Sequence, residues 1–583
     1  MHVTMLSCLI EKMTSKHEVV VAIDFGTTYS GYAFSTTSEY QKDPTKISAN
    51  SAWIAASAGL LSLKCPTCIL FDKDQKFVNF GYEAEDKYAN LALDNMHHEY
   101  YFFKQFKMSL HKNKDLNRDT LIEDESGKSM KAKTVFASGI RFLKNHAEEL
   151  INTRGMSFEE WEIRWVVTVP AIWSDAAKQF MREAAQKAEI MNDQLLIALE
   201  PEAASVCCRH LPDAKGSDIF MPGSKYMVLD LGGGTADINV HQVVEDGSLR
   251  ELHKASGGAW GGTRVDASFI RLLCAIVGDD VMEAFRREHP ADYIDLLREF
   301  EVKKRNVKET MESSVNFRLP LALTELFETK KKMTFREALA DSTYSDDVTP
   351  IADKIRIKPN LIQGMFRDPL VHLEDHIRCI LAKPEVRGTS TLLLVGGFSE
   401  SPIVQETMKR KFPRVKIVVP AECGLAVLKG AVIFGHEPKN ISARVAKFTY
   451  GIAISKPFIE GHHPIEKKKV TQNGVICTDV FHKYVECGES MDVDNSQTLS
   501  FSAAKGCSSN RVRVYRSTAS DPMFVTDDGC CLLGEVILTR NTDLNLSQKI
   551  DVSLTFGGTE CSVVANDSQS GESFRSKFDF LNA

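Results

Sequence analysis

Two short segments of this 583-residue chain have the residue types of phosphate-binding turns. Asp24-Phe25-Gly26-Thr27-Thr28 follows the β-branched run Val19 to Ile23, and Asp230-Leu231-Gly232-Gly233-Gly234-Thr235 follows the apolar run Tyr226 to Leu229. A phosphate needs backbone N–H donors at close range, and glycine allows both the approach and positive φ values. Threonine hydroxyls add donors at fixed positions. An aspartate at a strand end suits a hydrated magnesium ion, which keeps several waters and uses few carboxylates. A second strand-like run follows each turn, Tyr29 to Phe34 and Ala236 to Val244, so each reads as a β-hairpin. Either alone could be an ordinary tight hairpin containing an Asp. Two of them, each ending an apolar strand and heading a similar stretch of chain, predict loops that clamp one magnesium–triphosphate from both sides. Neither is a Walker loop, because the Gly-Lys-Ser/Thr ending is missing. Neither is a dinucleotide fingerprint, because a strand and not a helix follows the glycines.

The elements that must position these turns alternate between strand and helix. In the first half, Trp165 to Val169 reads as a strand, Ser174 or Asp175 caps a helix to about Glu189, Leu195 to Leu199 is a strand, and a helix runs to about Arg209. In the second half, Thr391 to Val395 is a buried strand ended by Gly396-Gly397. A helix opens at Ser401-Pro402 and runs to about Lys411. Val415 to Val419 and Gly424 to Phe434 complete the unit. Such alternation implies largely parallel sheets covered on both faces. The pattern predicts a loose N-terminal extension at 1–18, one lobe over 19–223 and a second over 224–440, with a charge-rich insertion at about 279–349. From 441 to 583, short alternating runs between Gly, Asn, Asp and Ser turns predict a small β-sandwich with no helical segment after it.

Composition excludes several classes. An apolar content of 43% and a charged content of 26% belong to an ordinary globular chain. A net charge of -7 argues against a general nucleic-acid binder, and no apolar run is long enough for a membrane span. The 14 cysteines are scattered through apolar segments, as reduced core thiols of a cytoplasmic protein would be. Cys65 and Cys68 form a CxxC without the second pair a zinc site needs. Cys207–Cys208 and Cys530–Cys531 read as core packing and a strand pair.

Five stretches together resemble the actin, hexokinase and heat-shock 70-kDa ATPase superfamily: IDFGTTYSG (23–31), EPEAAS (200–205), LDLGGGTADI (229–238), VGGFSESP (395–402) and AECGLAVLKGA (421–431). Within it the chain is similar to the heat-shock branch, and RWVVTVPAIWSDAAKQFMREAA (164–185) with ALEPEAAS (198–205) resembles its divergent 12A/12B members. The resemblance implies an α/β, two-lobed actin-like ATPase fold of duplicated ribonuclease-H-like lobes. It also implies ATP or ADP with Mg2+ as ligands. Thr27, Thr28 and Tyr29 then fall in the first phosphate loop with Gly26, and Gly232, Gly233, Gly234 and Thr235 in the second. Asp24 and Asp230 would hold the metal through water. Glu200 matches a glutamate near the metal and attacking water, and Asp237 an aspartate that orients or deprotonates that water. Lys107, with Lys104 as alternative, would reach the γ-phosphate. Gly261 and Gly262 lie beside the second loop, and Gly396, Gly397 and Ser399 form an adenosine turn. Glu301, Lys304 and Arg305 sit where the family grips adenosine; a solvated helix face is the other reading of that charge run.

The sequence also departs from the pattern. Glu400 stands where the usual members carry an arginine, Lys308 where they carry a serine, and Thr263 where they carry a glutamate. Residues 439–447 are polar and basic where an apolar linker is usual, and no helical lid or acidic tail motif follows. The expected function is a weak ATPase acting as a nucleotide-controlled switch or chaperone, with an unknown protein client on the C-terminal β region. The alternative is a nucleotide-binding adaptor with little or no hydrolysis. A small-molecule kinase is disfavoured because no sugar-binding constellation lies between the lobes, and nothing beyond the shared lobes suggests filaments.

Overall fold

An unbroken apolar run such as Val19 to Ile23 must be covered on both faces, and the strand that carries it, Val19–Phe25, is buried at all seven residues, Asp24 included. In the computed structural model it lies mid-sheet, parallel to Ile163–Val169 and antiparallel to Tyr29–Thr36. The sheet runs Leu195–Leu199, Ile163–Val169, Val19–Phe25, Tyr29–Thr36, Ser48–Ala49, with Cys65–Pro66 also paired to Tyr29–Thr36. The second sheet repeats this plan as Lys416–Val418, Thr391–Val395, Lys225–Leu231, Ala236–Val243, Leu249–Gly258. In both, the strand that carries an Asp-headed turn has its hairpin mate on one side and a parallel crossover strand on the other. The residues described are 17–55, 60–113, 115–211, 218–471, 474–493, 495–502, 509–539, 549–555, 557–560, 562–567, 573–577 and 579–581. The expected N-terminal extension therefore lies, through residue 16, outside them.

Helices Ala132–Thr153 and Asp175–Lys187 cover the outer face of the first sheet. The second begins at Ser174, whose Oγ accepts the Ala177 N–H at 3.2 Å. Between the two sheets lie helices Glu200–His210 and Ala426–His436, in one core with Val20, Ala22, Val166, Val228 and Leu393. They cross so closely that a Cβ on Gly430 would fall inside the carbonyl of Ala203. Residues 279–357 carry helices Asp279–Glu288, Pro290–Lys304, Leu321–Lys331 and Phe335–Asp341 and a three-stranded sheet. From Pro290–Lys304, Arg298 reaches across to Glu85 at 2.9 Å and Asp86 at 2.9 Å, tying the far side of the cleft.

Strand Ile441–Val445 extends the second sheet beyond Leu249–Gly258, and Ser490–Asp492 pairs onto it. Residues 441–445 of the polar and basic stretch 439–447 are thus built into the sheet, and sheet pairing continues past position 440. Two further sheets follow, one of five strands within 449–539 and one of four within 496–577. They share a core of Tyr450, Ile452, Tyr484, Val514, Val552 and Leu554. The last described residues turn back to the first sheet: Arg118 pairs with Asp579 at 2.9 Å, and Leu581 joins that sheet's core.

Arg444, on the added strand, makes a two-point pair with buried Glu202 at 2.6 and 2.7 Å. Lys447, three residues on, donates to the Ala171 carbonyl. Burial first, then Lys178, lowers its pKa from 10.5 to about 8. Between those values the unfolded chain keeps a proton that the folded chain has released, so this group's contribution to stability rises with pH there; below pH 8 its penalty is fully present. Lys447→Met should therefore raise the unfolding midpoint at pH 7, on the order of 1 kcal/mol or a few degrees. The gain should fade towards pH 10. Thermal melts at the two pH values decide it, and a difference that stays constant would refute the buried-charge account.

Candidate functional site

The two Asp-headed turns meet at one cleft between the sheets. A Cβ on Gly233 would overlap the Thr28 side chain, and one on Gly234 would come within 2.7 Å of Thr27 Oγ1. Glycine is required at both, because a hydroxyl from the opposite lobe fills the space a side chain would take. The second turn closes through Gly232 N–H to the Thr235 carbonyl at 2.9 Å. Gly262 and Thr263 N–H groups donate to the carbonyls of Gly232 and Gly233 at 3.1 and 2.8 Å. At Gly396, φ is +84°, and a Cβ would lie 2.5 Å from Asp230 Oδ1, so that turn presses on the second aspartate.

Together they bound a cavity of about 420 Å³, ample for a ligand of nucleotide size. Asp24, Gly26, Thr27, Thr28 and Tyr29 come from the first lobe, and Asp230, Gly232, Gly233, Gly234, Thr235 and Gly262 from the second. Lys107 and Glu200 also line it, as do Gly396 and Gly397. Glu301, Lys304 and Arg305 line it too, which sets aside the solvated-face reading. Lys304 is buried and paired with Asp266 and Glu301 at 2.5 Å. Arg305 lies over the Tyr29 ring at 5.5 Å, bridging the lobes.

Charge is crowded at the inner end. Lys107 is 2% exposed, 2.8 Å from Glu200 Oε1, and lies over the Trp173 ring. Lys104, the alternative, pairs with Glu85 at 3.0 Å and is not on the wall. Asp24 accepts from Thr168 Oγ1 at 2.9 Å and Lys64 Nζ at 2.6 Å. Burial pushes Asp24 up, but Lys64 and Lys107 outweigh it and hold its carboxyl below the ordinary value. Asp230 goes well above, driven by burial and then by Glu200, Asp237 and Asp24. Burial carries Glu200 to about 7 against the pull of Lys107. Such an excess of buried carboxylate calls for a cation. Among the described residues no three His, Cys, Asp or Glu side chains converge to hold a metal directly. The glycine cradle and this unbalanced charge fit a magnesium polyphosphate.

Three expected residues stand behind the wall. Asp237 is buried; its Oδ1 accepts the Ile172 N–H at 2.9 Å, and Oδ2 is a buried oxygen without a hydrogen bond. Burial raises its pKa, against the Ile172 N–H and the Thr235 hydroxyl. Ser399 donates to the Val395 carbonyl at 2.6 Å, so it holds the turn and does not face the cavity. Gly261 presses on the Gly233 carbonyl and supports the second turn. Of the departures, Glu400 lies against Gly424 on the wall, and Thr263 lines it. The CxxC is core packing: Cys65 and Cys68 are buried thiols that donate to the carbonyls of Ser30 and Gly81.

Sequence reasoning missed Lys64, Thr168, Phe366 and Phe398. Lys64 carried only its place beside the CxxC, and Thr168 only its place in a strand whose register with Val19–Phe25 was unknown. The two phenylalanines stack at 6.2 Å and close the outer wall.

Residues 95–441 match the family model described as Hsp70 protein. Heat shock 70 kDa protein 12A of Mus musculus is 34% identical over 97% of this chain and 92% of its own length. Heat shock 70 kDa protein 12B of Homo sapiens is 35% identical over 97% and 91%. Chaperone protein DnaK of Thermosipho melanesiensis is 25% identical over 79% of this chain and 68% of its own. No described helix is long and apolar enough to cross a membrane.

Proposed function

Because this chain belongs to the Hsp70 family, close to its 12A and 12B members, we propose that its cleft binds ATP with magnesium and hydrolyses it slowly to switch the chain between conformations. The observation that carries this reading is the meeting of Thr27 and Thr28 with Gly233 and Gly234 across the lobes. A triphosphate seated there ties the lobes together, and loss of its last phosphate releases them.

The residues act by position more than by reaction. Backbone N–H groups of the two turns and the hydroxyls of Thr27, Thr28 and Thr235 hold phosphate oxygens. Lys107 offsets charge on the terminal phosphate. Asp24 and Asp230 would hold the magnesium ion through water, and the ion when bound would supply further positive charge at the phosphates. Glu200 accepts a hydrogen bond from the attacking water, and Asp237 steers it through Thr235. Hydrolysis is slow because, among the described residues, no arginine enters the phosphate end of the cavity. Glu301, Lys304, Arg305 and the Gly396-Gly397 turn hold the nucleoside. The lobes span 19–223 and 224–440. Ile441–Val445 and Ser490–Asp492 extend the second lobe's sheet, and the two sheets built from the described residues of 449–577 form a β domain that presents the partner-binding surface in a cytoplasmic chaperone-like cycle. A second reading, a nucleotide-binding adaptor with little turnover, draws support from Lys64, which occupies Asp24.

Calorimetry with Mg-ADP and single-turnover hydrolysis test the proposal together. Thr235→Ala is expected to slow hydrolysis about a hundredfold while weakening binding only a few-fold, as for loss of one transition-state donor. No heat on Mg-ADP addition removes the ATP reading. Equal losses in both measurements remove the role of Thr235, and wild type that binds Mg-ADP without measurable turnover of ATP favours the adaptor.

A further inference from the structure

Lys64 stands outside every motif read in the sequence. The short strand Cys65–Pro66 pairs with Tyr29 and Ser30, and this pairing carries the preceding residue to the mouth of the first hairpin. Its side chain is 18% exposed and lines the same cavity as Lys107 and Glu200. Nζ is 2.6 Å from Asp24 Oδ2, and Thr168 holds the other oxygen. Both oxygens of the aspartate that should face a hydrated metal therefore have donors already. Lys107 is committed to Glu200, so the phosphate end holds two ammonium groups, each lying against its own carboxylate.

We propose that Lys64 is a built-in counter-cation of the phosphate site, holding Asp24 when no metal is present and donating to the polyphosphate of a nucleotide that arrives without one. This rests on the ATP reading above. An ammonium on a flexible four-carbon stem can swing from a carboxylate to a nearby phosphate, keeping a charge-assisted hydrogen bond in both positions. Magnesium then has to compete with Lys64 for Asp24. Nucleotide affinity in this protein consequently depends only weakly on magnesium.

The test is calorimetric titration of ADP into the full chain, once in excess magnesium and once in excess EDTA, for wild type, Lys64→Met and Lys64→Arg. The wild-type dissociation constants are expected to agree within about tenfold between the two buffers. For Lys64→Met, affinity in EDTA should fall on the order of ten- to a hundredfold, the effect of one charge-assisted hydrogen bond. In magnesium it should rise, because Asp24 no longer has to be freed. Lys64→Arg keeps the charge and should bind in EDTA like wild type. Equal changes in both buffers would make Lys64 merely structural and overturn the proposal, as would a wild type that binds only with magnesium. Wild type that binds in neither buffer removes the ATP reading itself. Wild type that binds, with a magnesium ratio unchanged in Lys64→Met, removes only this role.

Discussion

Lys107→Met should lower the single-turnover rate of ATP hydrolysis on the order of a thousandfold while weakening nucleotide binding far less. The size of the effect follows from two losses at one position. The first is the cation offsetting charge on the terminal phosphate, in a setting where Lys107 is 2% exposed and water cannot replace it. The second is the state of Glu200. Its carboxyl is already raised to about 7 by burial, and Lys107 is the group that opposes the rise most strongly. Without that ammonium the carboxyl moves further up and carries a proton at neutral pH. A protonated carboxyl no longer accepts the water's hydrogen bond with both oxygens. Rapid-quench kinetics beside an equilibrium titration separate the two quantities. A loss of rate below tenfold, or one matched by the loss of binding, would exclude Lys107 from the chemical step.

The legible part of this site is the part built from one strand end and the turn beside it. Asp24 with Thr27 and Thr28, and Asp230 with its three glycines, are contiguous, so type and spacing alone predict their chemistry. The strands were legible for a related reason: Val19 to Ile23 and Leu392 to Val395 are unbroken apolar runs, as a doubly covered strand requires, and both strands are buried at every position. Partners brought from elsewhere were not legible. Lys64 reaches Asp24 through the register of Cys65–Pro66 on Tyr29–Thr36, and no local pattern encodes register. Depth was hidden too, since Asp237 and Thr235 are two residues apart on one strand start, yet only Thr235 faces the cavity. The join between lobe and β region shows a third limit. Residues 439–447 read as polar and basic, and that composition does not reveal that Arg444 is buried, where Glu202 meets it with both oxygens; a buried charge is tolerable only with such a partner.

The sharpest separation of local preference from tertiary demand falls at Gly430. It lies inside helix Ala426–His436, where alanine is favoured over glycine by roughly 1 kcal/mol. Helix propensity therefore predicts that Gly430→Ala stabilises the protein. The fold predicts the reverse, because the new methyl would overlap the backbone carbonyl of Ala203 on the facing helix, and backbone cannot rotate aside as a side chain would. The helices would have to separate, and overpacking of this kind costs about 1–3 kcal/mol or more. Gly435, five residues on and on another face, presses the same helix against Val20 and Val166 of the first sheet, so separation on one side is blocked on the other. Gly430→Ala is thus expected to lower the unfolding free energy by about 2–3 kcal/mol, and Gly430→Val by more. This helix pair also lies between the two sheets and packs against both. A shift there displaces Thr27 and Thr28 from Gly233 and Gly234, so Mg-ADP affinity should fall as well, although no changed residue touches the cleft. Urea denaturation gives the sign directly: a more stable Gly430→Ala protein would mean that the two helices do not approach as closely as this structure has them.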